Sequence, residues 1–290
     1  MTLAVSIGLG LLIGLSLGAL GGGGSILTVP ALVYVLGQDA REATTSSLFI
    51  VGISALIGSL GHARSDRVRW GMGVAFGLTG IAASFAGTAL NRLVDPNVLL
   101  LTFAALVLVA AAGMFAKSRA SAPARADRIL VAAGGSPGHA VPAAPAVPAA
   151  PAAGGDTRLP PRRVDLGRAG KVLAAGLAVG FMTGFFGVGG GFVIVPALTL
   201  ALGLTMPEAV ATSLVVIAIN SGAALLARAG TAHLDWAVIV PFTIAAIAGS
   251  VAGKTVADRL SATSLTRAFA VLLVAVAIYT ATSSLTGLVG

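Results

Sequence analysis

Hydrophobic residues in this chain form long runs without a charged side chain, and the charged residues gather in the stretches between them. Most runs are close to the roughly 20 residues that an α-helix needs to cross a bilayer core of about 30 Å. The pattern therefore predicts an all-α protein that crosses a membrane many times. The charge-free runs cover residues 3–36, 43–61, 71–90, 98–116, 172–203, 209–227, 237–253 and 268–290.

Two of these runs, 3–36 and 172–203, are too long for one crossing, and each contains a glycine cluster. The clusters read GGGGSILTVPAL at residues 21–32 and GVGGGFVIVPAL at residues 187–198. Hydrocarbon cannot satisfy free backbone N–H and C=O groups, so a glycine-rich break survives only where it is buried in protein or lines a wet cavity. We expect each run to form a broken or re-entrant hairpin whose second arm, about 18 Å long, is too short to span. The prediction is about ten membrane segments in total.

The two predicted hairpins belong to an internal repeat. Residues 14–48 match residues 180–214 at 15 of 35 positions when they are aligned at a constant offset of 166 without gaps. The same offset pairs Trp70 with Trp236, so the duplication extends beyond the motif. A hairpin followed by three crossings would insert the second copy upside down relative to the first. Inverted repeats of this kind are typical of secondary transporters.

The segment between the two copies has a different composition. Residues 117–171 are rich in Ala, Pro and Gly, with nine basic and three acidic residues. This composition predicts a disordered tether, with a lipid or partner contact through its basic residues as the alternative. The chain is thus divided into a first membrane repeat at residues 1–116, the linker, and a second membrane repeat at residues 172–290.

The distribution of basic residues predicts the orientation in the membrane. Only 10% of the residues are charged, and the mean hydropathy is +0.99. With a hairpin and three crossings in each copy, the side that carries the linker holds 15 of the 18 Lys and Arg residues. That side should be cytoplasmic, so both termini should lie outside. The same bias explains a sequence pI near 11.3 without nucleic-acid binding.

The glycine clusters and the helix starts that follow them are the candidate substrate site. Glycines allow positive φ and close approach of a ligand. A short helix that starts inside the membrane offers unpaired N–H groups and the positive end of its dipole to an anion, and hydroxyl or amide groups add donors. The candidates are Gly22, Gly23, Gly24, Ser25, Thr45, Ser46 and Ser47 in the first copy, and Gly189, Gly190, Gly191, Phe192, Thr212, Ser213, Asn220 and Ser221 in the second.

Helix packing is the alternative explanation for small residues in membrane helices. It accounts for scattered glycines such as Gly8, Gly14, Gly80 and Gly87, but not for two glycine clusters that are each followed by a short segment. For any single hydroxyl, a hydrogen bond within the helix bundle is as good an explanation as substrate binding. Asn220 is the stronger candidate, because an amide within the membrane needs several partners.

Glu42 and Glu208 occupy equivalent positions, and an acid at the start of a membrane helix suggests proton coupling. The spacing of Asp39 to Glu42 and of Thr205 to Glu208 is also that of a capping box, in which the acid satisfies the backbone at a helix start. We favour the cap, with protons as a coupling ion as the alternative.

No pattern in the sequence supports catalysis, a cofactor or a metal site. The chain has no cysteine, no GxSxG and no HExxH, and its histidines (His62, His139 and His233) are predicted to lie in loops or in the linker. The sequence GSVAGKT at residues 249–255 has the wrong spacing for a phosphate-binding loop and follows an apolar span. A metal carrier would need carboxylate or imidazole ligands within the membrane. We expect neither an enzyme nor a cofactor-binding protein.

The duplicated motifs resemble those of a known family. Glycine-rich segments that end in Val-Pro-Ala-Leu, each followed by an acidic helix start (EATTSSL at 42–48 and EAVATSL at 208–214), are similar to those of the TauE/SafE-type sulfite exporters, also called the toluene-sulfonate uptake permease family. The resemblance covers both membrane repeats but not the linker. It implies transport of small sulfur-containing anions, such as sulfite, sulfoacetate or other organosulfonates, across a bacterial inner membrane.

The sequence therefore predicts an anion transporter that works by alternating access, with the substrate bound between the two glycine breaks and the lipid bilayer around it. Two alternatives stay open. An anion channel would show flux that does not saturate, and a non-transporting membrane scaffold would act through the basic linker.

Overall fold

The computed structural model of the chain describes residues 2–63, 66–91, 93–94, 96–120, 166–186, 191–228 and 234–289. Within these ranges the secondary structure is helical, which confirms the all-α prediction. The helices before the linker are α1 (Thr2–Leu20), α2 (Gly23–Pro30, extended by a π-helical turn at Ala31–Val35), α3 (Ala40–Ala63), α4 (Trp70–Asn91) and α5 (Pro96–Ala120). Those after it are α6 (Leu166–Phe186), α7 (Gly191–Pro196, extended by a π-helical turn at Ala197–Ala201), α8 (Met206–Arg228), α9 (Trp236–Arg259) and α10 (Ala262–Val289).

Eight of the described helices are long and apolar enough to cross a membrane, so the chain is a multi-pass membrane protein. The other two, α2 and α7, are shorter apolar helices. Both long apolar runs of the sequence contain two separate helices. In the first run, α1 ends at Leu20 and α2 begins at Gly23; in the second, α6 ends at Phe186 and α7 begins at Gly191.

The Val-Pro-Ala-Leu motif determines how α2 and α7 end. Pro30 has no backbone N–H and so removes one hydrogen bond from α2. The turn after it is π-helical, with the Leu36 N–H donating to the Ala31 carbonyl over 3.3 Å. Gly37 then adopts a left-handed φ of 68°, which stops the helix. The same features end α7 at Pro196, Ala197, Leu202 and Gly203.

Equivalent helices of the two repeats make equivalent contacts. α1 packs along α9, and α6 packs along α4, in both cases through a stripe of glycines. A Cβ on Gly14 would overlap with the Ala246 backbone, and a Cβ on Gly180 would overlap with the backbone of Gly80, 166 residues before Ala246. The packing interpretation is therefore confirmed for Gly14 and Gly80. It is also confirmed for Gly87, which meets the Phe181 backbone, but it is wrong for Gly8, where an added Cβ has no neighbour within 4 Å in the part of the chain that the structure describes.

Short connections between antiparallel helices place the helix ends on two faces of the molecule. α5 ends and α6 begins on one face, which also carries the ends of α3 and α9 and the start of α8; we call it the linker face. The opposite face carries the start of α1 and the end of α10, and we call it the termini face. Side chains such as Leu17, Phe76, Leu214 and Phe242 are buried between the helices.

Candidate functional site

The two glycine breaks meet in the buried interior of the molecule. A Cβ on Gly22 would overlap with the Gly191 carbonyl, and a Cβ on Gly191 would overlap with the Ser25 hydroxyl. The backbones can approach this closely only because neither residue has a side chain. The Ser25 Oγ donates to the Gly22 carbonyl over 2.7 Å, across the first turn of α2. The starts of α2 and α7 are thus in direct contact.

A cavity of about 1010 Å³ lies beside this contact, between α2, α3, α4, α6, α8 and α10. Its lining includes Thr44 in the first turns of α3 and Thr88 in the last turn of α4, so the cavity opens toward the termini face. The walls are largely apolar. The described lining residues include no Asp, Glu, Lys, Arg or His, and most of the polar groups are hydroxyls or an amide.

Four of the predicted site residues line this cavity: Ser25, Ser47, Asn220 and Ser221. The Asn220 Oδ1 is buried and has no hydrogen-bond partner among the described residues. This oxygen is an acceptor, so an anion would be bound through the Nδ2–H donors of the same amide. The Ser47 Oγ donates to the Thr44 carbonyl over 2.8 Å, so this hydroxyl would have to turn before it could donate to an anion.

The glycine candidates among the described residues do not line the cavity. Gly22 and Gly191 form the contact between the two breaks, and a Cβ on Gly24 would lie 2.6 Å from the Ile13 carbonyl of α1. Phe192 is buried in the core, where its ring meets Phe103 edge to face with centroids 5.0 Å apart. Gly23 is also buried, and the candidates Gly189 and Gly190 lie outside the described residues.

The remaining hydroxyl candidates, Thr45, Ser46, Thr212 and Ser213, are buried away from the cavity. Thr212 has a clear structural contact, because its Oγ1 accepts the Arg69 backbone N–H over 3.1 Å. This bond ties the loop between α3 and α4 to α8 at the linker face. The Ser213 Oγ donates to the Val210 carbonyl within its own helix.

Further polar residues, none of them predicted as site residues, also line the cavity: Tyr34, Thr44, Ser84, Thr88, Thr183 and Tyr279. Ser84 and Thr88 are one turn apart on α4. A signal for Ser84 was present, since the repeat offset pairs it with another serine, Ser250. Thr183 lies four residues before the second glycine cluster. The charge-free run around it contains no pattern that marks this threonine as a site residue.

Polar contacts close the molecule at the linker face. Arg69 donates to the Glu208 Oε1 from Nε over 3.1 Å and from Nη2 over 2.6 Å. The Glu208 Oε2 accepts the Thr205 backbone N–H over 3.1 Å and the Thr205 hydroxyl over 2.9 Å. The cap that the sequence predicted at the start of α8 is therefore confirmed for Glu208.

A second set of ion pairs joins α9 to the loop between α3 and α4. Asp258 pairs with Arg67 of that loop and, over 3.2 Å, with the Nζ of Lys254 one turn earlier on α9. His62 lies close by, in the last turn of α3, where it is buried with its Nδ1 3.0 Å from the Gly58 carbonyl. The prediction that His62 lies in a loop is therefore wrong, because α3 continues to Ala63. Among the described residues, no three acidic or histidine side chains come together as a metal site would require.

Comparisons with known proteins agree on the class of protein. Residues 6–280 match the family model described as Sulfite exporter TauE/SafE. A protein of Xylella fastidiosa named a probable membrane transporter protein is 32% identical over 281 residues, which cover 96% of this chain and 94% of the relative. A probable membrane transporter protein of Bacillus subtilis is 22% identical over 94% of this chain and 95% of its own length. No solved structure matches the chain.

Proposed function

Because the chain belongs to the sulfite exporter TauE/SafE family of membrane transporters, we propose that it moves small sulfur-containing anions across the inner membrane by alternating access. Sulfite, sulfoacetate and other organosulfonates are the substrates that we propose. The substrate binds in the cavity beside the two glycine breaks.

The observation that carries this proposal is the composition of the cavity. Its described lining has no basic side chain, so the charge of an anion must be met by neutral donors, namely the hydroxyls of the lining and the Nδ2–H groups of Asn220. Neutral donors suit a substrate that must also leave, because they bind an anion without a strong ion pair. The apolar walls suit the organic part of a sulfonate.

The ends of the cavity favour a carrier over a channel. The cavity reaches the termini face, whereas ion pairs and close packing occupy the linker face. A carrier binds its substrate from one side while the other side is closed, and an open channel connects both. In the proposed orientation the linker face is cytoplasmic and the two repeats are inverted, so the cavity faces the outside.

Flux through the purified protein in proteoliposomes tests the site. We expect Asn220→Asp to lower the uptake of labelled sulfite or sulfonate by about tenfold or more, because a carboxylate in the cavity repels the anion and replaces an amide donor. A hydrogen bond to a charged group contributes about 1.5–3 kcal/mol, which sets this scale. Ser47→Ala, which removes one hydroxyl, should have a smaller effect in the same direction.

Ser59→Ala is the matched control for Ser47→Ala. Ser59 lies on the same helix, is also buried, and donates from its Oγ to the carbonyl three residues earlier, as Ser47 does, but it does not line the cavity. We expect it to keep the parent flux. Equal losses in both serine variants would indicate a folding effect, and parent-level flux in Asn220→Asp would contradict the proposed site.

A further inference from the structure

The cavity has a counterpart in the other repeat, and this counterpart is closed. The offset of 166 residues maps Asn220 onto Ser54 and Ser84 onto Ser250. Asn220 and Ser84 line the cavity from α8 and α4. Ser54 on α3 and Ser250 on α9 are only 0% and 1% exposed. Equivalent positions therefore face open space on one side of the molecule and are sealed on the other.

The hydroxyls of Ser54 and Ser250 have no hydrogen-bond partner among the described residues. Most buried polar groups in proteins are paired, and an unpaired one costs about 1–3 kcal/mol. A serine in a helix can avoid this cost by bonding back to a carbonyl, as Ser59 does on α3. Two unpaired hydroxyls at positions equivalent to the cavity wall indicate a surface that another arrangement of the helices exposes.

Close packing seals this surface in the present structure. The contact of Gly18 with the Ser250 backbone does not distinguish the two sides, because Gly184 meets the Ser84 backbone in the same way; the difference lies between α3 and α9. A Cβ on Gly58, one turn beyond Ser54 on α3, would lie only 2.7 Å from the Ser250 Oγ and 3.3 Å from the Leu214 Cδ1. The residue equivalent to Gly58 is Ala224, which lines the open cavity. The contact between α3 and α9 is thus tight, whereas the equivalent contact between α8 and α4 leaves space for the cavity.

Lys254 occupies the linker-face end of the sealed surface. It lies one turn beyond Ser250 on α9, and its equivalent is Thr88, which lines the cavity near the termini face. The Lys254 Nζ is neutralised here by Asp258, 3.2 Å away, which also pairs with Arg67 of the neighbouring loop. Thr88 at the open mouth of the cavity therefore corresponds to the ion-paired Lys254 at the closed end.

We infer that Ser54, Ser250 and Lys254 line the second half of the permeation path, which opens to the linker face when Asp258 releases Arg67 and Lys254. In that state the two hydroxyls bind the oxygens of the anion, and the freed ammonium attracts the anion to the mouth. The inference rests on the proposed transport function. Ser54, Ser250 and Lys254 are thereby assigned to the closed half of the path, and the carboxylate of Asp258 is the charge that keeps this half closed.

Thiol labelling tests the path directly, because the chain has no cysteine of its own. In the purified protein in detergent, both faces are accessible to a hydrophilic maleimide. We expect Ser84→Cys to react readily and Ser250→Cys to react at least about tenfold more slowly. Adding Asp258→Asn to Ser250→Cys should raise the labelling rate several-fold, because it breaks both ion pairs. Ser54→Cys provides a second reporter on α3 should the packing against Gly18 prevent Ser250→Cys from folding.

Two control variants test whether labelling of Ser250→Cys depends on the ion pairs of Asp258 or only on the loss of a negative charge. Asp66→Asn removes the same charge from an exposed residue next to Arg67, and Asp258→Glu retains a carboxylate; both should leave Ser250→Cys slow. Labelling of Ser250→Cys as fast as that of Ser84→Cys in the parent background would overturn the inference, as would a rate unchanged by Asp258→Asn. Labelling needs no substrate, so a protein that labels as expected but carries no sulfonate contradicts the proposed substrate and not the path.

Discussion

At the scale of single residues, the contact between Gly22 and Gly191 sets how closely the two repeats approach. The sequence predicted that both glycine clusters are special, because hydrocarbon tolerates a break only in protected surroundings. It did not show that Gly22 meets Gly191, since the contact between two helices distant in sequence depends on the packing of the whole bundle. Thr212 illustrates the same limit. Its place at a helix start suggested substrate binding, whereas its hydroxyl holds the Arg69 backbone.

Gly22→Ala tests this contact by stability. Gly22 has φ −60° and ψ −13°, which alanine adopts without strain, so any effect comes from the overlap of the new Cβ with the Gly191 carbonyl. Overpacking of this kind costs about 1–3 kcal/mol, and we expect a lower Tm for the purified variant. Gly222→Ala is the control, because an added Cβ there meets no described residue within 4 Å. A Tm equal to that of the control would show that the two breaks can move apart freely.

At the scale of elements, the sequence predicted where the short helices α2 and α7 begin but not how they end. The length of each charge-free run and the position of its glycines predicted where α2 and α7 begin. The π-helical turns after Pro30 and Pro196 were not predicted, because a proline near a helix end is compatible with several ways of stopping the helix. The cap at Glu208 was predicted, since a capping box is local and needs only residues three apart. The ion pair of Glu208 with Arg69 joins segments that are distant in the sequence, so no local pattern predicted it.

Variants of Glu208 should separate the cap from the ion pair. Glu208→Gln keeps an acceptor for the Thr205 N–H but loses the charge, and the exposed pair with Arg69 contributes roughly 0.5 kcal/mol. Glu208→Ala loses the cap as well and should cost about 1 kcal/mol more. We expect Tm to fall in the order parent, Gln, Ala, with Arg69→Ala close to Gln. Equal Tm values for Gln and Ala would contradict the cap. Loss of the pH dependence of flux in Glu208→Gln, with little change in Tm, would instead favour proton coupling.

At the scale of the whole molecule, the many-helix membrane fold followed from charge-free runs, because the length of such runs is dictated by bilayer thickness. The difference between the open side and the closed side of the molecule did not follow from the sequence. The repeats have nearly the same pattern, yet Ser84 lines a cavity and Ser250 is sealed. Which side is open depends on how the helices pack, and differences between the copies, such as Lys254 in place of Thr88, do not by themselves predict it. The orientation, the inversion of the repeats and the role of the linker stay proposals.

Solute counterflow in proteoliposomes tests the central claim most directly, namely that the cavity belongs to a carrier of sulfur-containing anions. Vesicles loaded with an unlabelled sulfonate or sulfite are diluted into a trace of the labelled anion, without any ion gradient. Our account predicts a transient accumulation of label above the equilibrium level that saturates with external substrate. A carrier exchanges one bound anion for another, and a channel or a scaffold cannot concentrate the label. Equilibration without accumulation would contradict the account in favour of a channel, and no uptake of any tested anion would contradict sulfur-anion transport itself.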